Sequence, residues 1–315
     1  MRLWAKSLLL VLAGALFFLV AGVVAVWAPD KSLDELKPRW AQPPSRFIAV
    51  DGVSVHLRDE GPRDDPNPIV LLHGTSDSLH TWDGWVQVLA ARRRVIRFDL
   101  PGFGLTGPNP DNDYSMRRNV QFVTAVLDHL GVSRCVLAGN SLGGQIALEL
   151  AYARPARVHQ LVLVDAAGYN FVPLEVPLAF RLVRSPLLRR AFDYLLPRGL
   201  VQSSVRNLYG DASKVGPELV DRHYDMALRA GNRKALGLRM DALRGTEPAH
   251  IKALVVPTLV LWGAQDRLIP PSNGRQFERD IAGARLVVFD SLGHLPHQED
   301  ALRTVVEVQR FLDQP

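Results

Sequence analysis

An α/β fold, with a mostly parallel sheet flanked by helices, is predicted by three observations. Short apolar runs recur along the chain, stretches of helical periodicity alternate with them, and at one junction a serine stands between glycines. Residues 47–50 and 53–58, joined at Asp51-Gly52, read as an opening antiparallel hairpin. Residues 68–72, 94–99, 132–138, 161–165, 258–263 and 286–289 follow as strands, short, apolar and bounded by turn residues. Between them, residues 81–91, 116–130, 142–153, 272–281 and 299–312 place apolar side chains at helical spacing. The stretch from about Gly168 to Thr246 breaks the alternation. It holds helix-prone segments at 178–196 and 217–236, interrupted by Pro186, Pro197, Gly199 and Gly210, and no clear strand.

With 315 residues, 47% hydrophobic and 22% charged, the chain has material for one large core, or for a core with a cap. Its formal charge of +5 is not gathered into a basic run interleaved with aromatics, so nucleic-acid binding is set aside. Cys135, the one cysteine, has no disulfide partner within the chain and falls in an apolar strand, where a buried thiol is expected. At the N-terminus Arg2 and Lys6 precede an uncharged stretch from Ser7 to Pro29, long enough to cross a bilayer. Residues 1–30 are therefore expected to form a single-pass anchor with Trp4 and Trp27 at its ends. The two basic residues would hold the N-terminus in the cytoplasm and place the rest of the chain outside it. A cleaved signal, with Val26-Trp27-Ala28 as its site, is the alternative and would give a secreted protein. Residues 31–46, charged and carrying Pro38, Pro43 and Pro44, read as a linker to a domain spanning 47–315.

Chemistry concentrates at Ala138-Gly139-Asn140-Ser141-Leu142-Gly143-Gly144, a G-x-S-x-G pattern between an apolar run and a helical run. A serine on so sharp a turn has its Oγ exposed, and the helix that starts there aims unpaired N–H groups at the same spot. Serine needs a base to act as a nucleophile at neutral pH, and the base needs an orienting acid. Asp266 follows the apolar run 259–263, and His294 follows the run 285–290. Both lie where loops leave the C-terminal ends of strands, facing the crevice that holds Ser141. Asp165, at the end of another strand, and His297, three residues past His294, are the rivals for acid and base. No ligand spacing links His73, His80, His294 and His297 into a metal site, and the chemistry needs no cofactor.

The order Ser141, Asp266, His294, together with Leu71-Leu72-His73-Gly74-Thr75, Asp99-Leu100-Pro101-Gly102-Phe103-Gly104 and Gly293-His294-Leu295-Pro296, resembles the α/β-hydrolase superfamily from about Phe47 onward. The resemblance implies that the segment from about 168 to 246 is a helical cap inserted after the sixth strand. It also implies an oxyanion hole formed by the backbone N–H groups of Leu142 and Thr75. His73, Trp82 and Asn140 are the candidate substrate-binding residues, with His73 expected to shape the oxyanion loop and Trp82 either to line the pocket or to pack. The cap carries Arg181, Arg184, Arg189, Arg190, Arg198 and Arg206 against Asp193, which is either a solvated face or a surface for anionic lipid. A serine at the elbow disfavours epoxide opening and dehalogenation, where relatives use a carboxylate. Asn140 before Ser141 resembles the carbon–carbon bond hydrolases of aromatic degradation. Those usually carry glycine and proline after His-Gly and tryptophan after the catalytic histidine, where this chain has Thr75-Ser76-Asp77-Ser78 and Leu295. Hydrolysis of a small-molecule ester, apolar or lipid-like, is therefore expected first and carbon–carbon cleavage second. A hydrolase-fold protein that binds without turnover is the reading from a different class.

Overall fold

The computed structural model of the chain describes residues 2–242 and 244–313. Helices α1 (Arg2–Val26) and α2 (Leu33–Trp40) precede the hairpin of β1 (Arg46–Val50) and β2 (Val53–Glu60). Then come β3 (Ile69–Leu72), α3 (Asp83–Leu89), β4 (Val95–Phe98), α4 (Met116–His129), β5 (Cys135–Asn140), α5 (Leu142–Ala153) and β6 (Val158–Val164). Helices α6 (Leu178–Arg184), α7 (Pro186–Phe192), α8 (Arg198–Asn207), α9 (Pro217–Leu228), α10 (Asn232–Ala242) and α11 (Pro248–Lys252) fill the interval before β7 (Thr258–Gly263). The chain closes with α12 (Pro271–Asp280), β8 (Arg285–Phe289), α13 (Pro296–Glu299) and α14 (Ala301–Leu312).

Among the described residues the strands form one eight-stranded sheet in the order β1-β2-β4-β3-β5-β6-β7-β8. Strand β2 runs antiparallel to both of its neighbours, β1 and β4, and every pair from β4 onward in that order is parallel. Because side chains alternate across a strand, Leu72, Leu137, Leu163 and Val260 enter one core with Phe122, Ile146 and Phe277 of α4, α5 and α12. Leu71, Val136, Val162 and Leu261 enter the other, against Trp85 of α3 and Val308 of α14. Strand β5 begins later than the sequence suggests because Gly131, at φ 66, turns the chain and the Val132 N–H caps α4 by donating to Leu127 O at 2.9 Å. The long helix-prone stretches also divide: 178–196 breaks before Pro186, and 217–236 breaks at Gly231, which holds φ 88.

The segment 31–46, expected as a linker, is folded and docked. Ser32 and Glu35 form a reciprocal capping box at the start of α2. Leu36 and Trp40, four residues apart on one face, are buried against Leu105 and Met226. The Trp40 indole donates to Asp225 at 2.8 Å and Lys31 pairs with Asp225 at 2.7 Å. The prolines that suggested a flexible spacer were outweighed by this box and apolar pair. Helix α1, by contrast, runs free of the protein body, and its apolar stretch Lys6–Val26 is unburied. Its far end is tied down, since Ala28 N–H donates to Tyr194 O at 2.9 Å and Leu196 N–H donates to Val26 O at 3.0 Å.

Candidate active site

Ser141 sits between β5 and α5 with φ 52 and ψ −117, a region that L residues avoid at a cost of roughly 1–3 kcal/mol. Three backbone hydrogen bonds hold it there: its N–H donates to Val164 O at 3.1 Å, and its carbonyl accepts from Ala167 at 3.0 Å and Gln145 at 3.1 Å. The turn closes only because Gly143 lacks a side chain, as a Cβ there would lie 2.2 Å from Leu72 O. The result is a serine at the head of a helix whose first N–H, that of Leu142, has no partner within the helix.

His294 leaves the loop after β8 and is buried, with Nδ1 at 2.7 Å from Asp266 Oδ2. Asp266 is itself fixed, accepting the N–H groups of Leu268 at 2.8 Å and Ile269 at 3.0 Å on Oδ1. Three donors converge on this carboxylate, which suits an ionised acid orienting an imidazole. The other ring nitrogen, His294 Nε2, is buried without a hydrogen-bond partner among the described residues. Ser141 and His294 line the same cavity of about 510 Å³, whose walls are mostly apolar and include Phe103, Phe180, Phe192 and Leu236.

The rivals are nearby but differently placed. Asp165 is fully buried at φ 42, accepts the Gly263 N–H at 3.0 Å and does not line the cavity. Burial, followed by the negative charge of Asp266, pushes its carboxyl well above the ordinary range. Asp165, Asp266 and His294 bring donor atoms within 4.8 Å of one another, a possible metal cluster by spacing. The His294–Asp266 hydrogen bond and the two N–H donors on Asp266 already fill that space. His297 lies behind the wall, packed at a tilt against Trp82 with ring centroids 4.1 Å apart and Nε2 at 2.9 Å from Thr81 Oγ1. Burial pushes it down to about 3, so it is a neutral core imidazole.

Of the residues expected along the pocket, Asn140 lines it, while His73 and Trp82 do not. Asn140 Nδ2 donates to Val164 O at 3.1 Å and to His294 O at 3.0 Å, tying the serine turn to the histidine loop. His73 is fully buried, with Nδ1 at 2.7 Å from Gly74 O and Nε2 accepting the Leu100 N–H at 2.9 Å. It therefore braces the loop that carries Thr75 instead of touching a ligand. Trp82 belongs to the core on the opposite face of the sheet, between Trp85 and His297. Thr75 and Leu142 both reach the cavity wall, and the Thr75 N–H donates to no group among the described residues.

Two wall residues escape a reading of the sequence. Asp77 and His223 are buried in the cavity lining, with His223 Nδ1 at 3.1 Å from Ser76 O and its Nε2 4.0 Å from Asp77. Burial would raise the Asp77 carboxyl, but the charges of His223 and Arg222 outweigh it and hold its pKa below the ordinary value. Asp77 follows His73 closely and was open to notice. His223, on cap helix α9, has no local signal at all.

The family described as "alpha/beta hydrolase fold" matches residues 67–301. A 2-hydroxymuconate semialdehyde hydrolase of Pseudomonas sp. (strain CF600) is 33% identical over 285 residues, covering 85% of this chain and 93% of that protein. A meta-cleavage product hydrolase from Pseudomonas fluorescens IP01 superposes with a TM-score of 0.75 at 25% identity, covering 85% of this chain and 97% of the other. A membrane phospholipase A shares the fold over 99% of this chain and 98% of its own, with a TM-score of 0.72 at 24% identity. The fold, the match over most of the length and the relative at one-third identity lead to one conclusion: this chain belongs to the α/β-hydrolase family.

Proposed function

We propose that the protein is a serine hydrolase that cleaves a carbon–carbon bond next to a ketone in a dienoate-type substrate, with Ser141 as nucleophile. The observation that carries the serine chemistry is the open Nε2 of His294, backed by Asp266, in the same apolar cavity as Ser141. The bond type is supported by the likeness to hydrolases of 2-hydroxymuconate semialdehyde and of 2-hydroxy-6-oxo-2,4-heptadienoate. This reverses the order expected from sequence, where ester cleavage came first.

His294 Nε2 takes the Ser141 proton as Oγ bonds to the ketone carbon, and Asp266 stabilises the imidazolium that results. The N–H groups of Leu142 and Thr75 receive the oxyanion. The carbon–carbon bond then breaks in the keto tautomer of the substrate, where the leaving carbon is saturated, and its electron pair delocalises into the enone acid as a dienolate that takes back the proton held by the His294 imidazolium. Water, deprotonated by His294, attacks the acyl-enzyme and releases the second product as a carboxylic acid. Arg184, on the cavity wall and without an ion pair among the described residues, offers a positive charge to the substrate's carboxylate.

Ester hydrolysis uses the same first step and is favoured by a specific observation. Leu295 is buried in the cap's apolar cluster where the carbon–carbon hydrolases usually carry tryptophan, leaving no indole beside the base. The domain is proposed to stand outside the cytoplasm on α1. In support, Ala28 is buried in the cap, so the helix runs directly into folded structure instead of ending at an open cleavage site.

The test assays purified full-length protein on a 2-hydroxy-6-oxo-2,4-dienoate and on p-nitrophenyl esters of graded length, with fluorophosphonate labelling alongside. Ser141→Ala should lose label and about 10⁶-fold in turnover. Turnover of esters with an inert dienoate would hand the assignment to ester cleavage. Absence of both turnover and label would leave a binding protein.

A further inference from the structure

We infer that the outer face of α6 and α7, with the loop before them, docks on an anionic bilayer and sets the cavity wall against the lipid surface. This rests on reading α1 as membrane-embedded and goes beyond it, because an anchor alone leaves the orientation of the domain open.

Helices α6 and α7 are two-sided. Ala179, Phe180 and Phe192 line the cavity and Val183 is buried beneath them. On the other side Leu178, Leu188 and Tyr194 are exposed, and Val172 and Leu174 in the preceding loop are 84% and 71% exposed. Scattered apolar side chains are ordinary on a soluble surface, but these five are concentrated in one short segment.

Charge sharpens the choice of partner. Of the cap arginines, Arg189 pairs with Asp241 at 2.8 Å and Arg198 with Asp221 at 2.5 Å. Arg181 and Arg190 are exposed, and no acid pairs with them among the described residues. Apolar side chains interleaved with free guanidinium groups fit the headgroup layer of an anionic membrane better than they fit water or a protein groove.

Continuity fixes the location. The apolar helix α1 ends where α7 ends: Trp27 stacks on Tyr194 with ring centroids 5.8 Å apart, and the backbone bonds at Ala28 and Leu196 join the two segments. An aromatic pair at the end of an apolar span is the usual marker of the membrane interface. The α6–α7 face therefore starts at the bilayer surface, with no slack to swing away from it.

The native cysteine does not interfere with a probe, since Cys135 is buried and burial pushes its thiol up to about 12. Leu10→Cys in α1, Leu188→Cys on the proposed face and Leu302→Cys on α14 can each be labelled with a bimane in the full chain. Each is placed in nanodiscs of phosphatidylglycerol and phosphatidylcholine with brominated acyl chains. The expected result is strong quenching at 10 and 188 and none at 302. Arg181→Glu with Arg190→Glu should lose most of the quenching at 188 and leave that at 10 unchanged. Quenching at 10 without quenching at 188 overturns the docking face while the anchor stands, as does equal quenching at 188 and 302. No quenching at 10 overturns the anchor and the docking face with it.

Discussion

Three positions separate His294 from His297, yet burial and partners give them opposite tasks. His294 has an acid on Nδ1 and, among the described residues, no hydrogen-bond partner on Nε2, whereas His297 packs at a tilt against Trp82 and is bonded to Thr81. His294→Ala should therefore abolish turnover, while His297→Gln should leave most of it and cost stability instead. Asp266→Asn should lower kcat by about 10⁴-fold, since the amide would favour the wrong tautomer of His294. Asp165→Asn, which touches no donor on the imidazole, should cost far less, and kinetics of the four variants decides the assignment. The buried imidazoles also predict a pH response. His80 and His297 are both pushed from 6.5 down to about 3, so between those values the unfolded chain binds protons that the folded chain refuses. Stability falls as pH drops through that window, by on the order of 1.4 kcal/mol per pH unit for each group. Denaturant melts from pH 7 to 4 should show a shallower decline for His297→Gln than for the parent. At this scale the sequence pointed to Ser141, Asp266 and His294, the proposed triad, because each follows a strand that its own apolar run announces. His73 and Trp82 were misread as pocket residues because adjacency to a motif says nothing about which way a side chain faces.

Elements were legible where one period ran uninterrupted, as in α4, α5 and α14, and illegible where contacts distant in sequence decided the matter. Helix α2 is held by Met226 and Asp225 of α9, nearly two hundred positions away, and the prolines nearby pointed the other way. Its capping box was the available signal. The docking of residues 28–40 bears on how the proposed anchor can be removed. A chain starting at Lys31 would lose the buried Ala28 and the Asp30 carboxylate that pairs with Arg233 at 2.5 Å. A chain starting at Trp27 keeps both. The longer version should be soluble, melt higher and retain turnover of short substrates, while the shorter one should be less stable. Thermal melts of the pair, alongside the full chain in detergent, check this.

For the whole molecule, the ends of the sheet's strands hold the proposed reacting groups and the insertion between β6 and β7 supplies much of the wall around them. Phe180 and Phe192 reach the cavity from α6 and α7, so Phe180→Ala and Phe192→Ala should shift the preference between long and short substrates more than they shift stability. Comparing kcat/KM across a graded series for the two variants and the parent tests it, and an unchanged profile would return selectivity to Phe103 and the core. The fold was legible at this scale from alternation alone, and the path of the cap over the cavity was not, because no periodicity records how two amphipathic helices cross. The stitching of α1 to the cap has a mechanical consequence. Val26, Ala28 and Lys31 are hydrogen-bonded in turn to Leu196, Tyr194 and Leu228, and Ala230 returns a bond to Lys31. A joint bonded on both sides transmits torque. At about 1.5 Å per residue, the apolar stretch Lys6–Val26 is about as long as a bilayer's hydrocarbon layer is thick, so a thinner membrane must tilt it. If α1 spans a bilayer as proposed, that tilt would turn the cap as a lever turns its load, and turnover would vary with the thickness of the membrane.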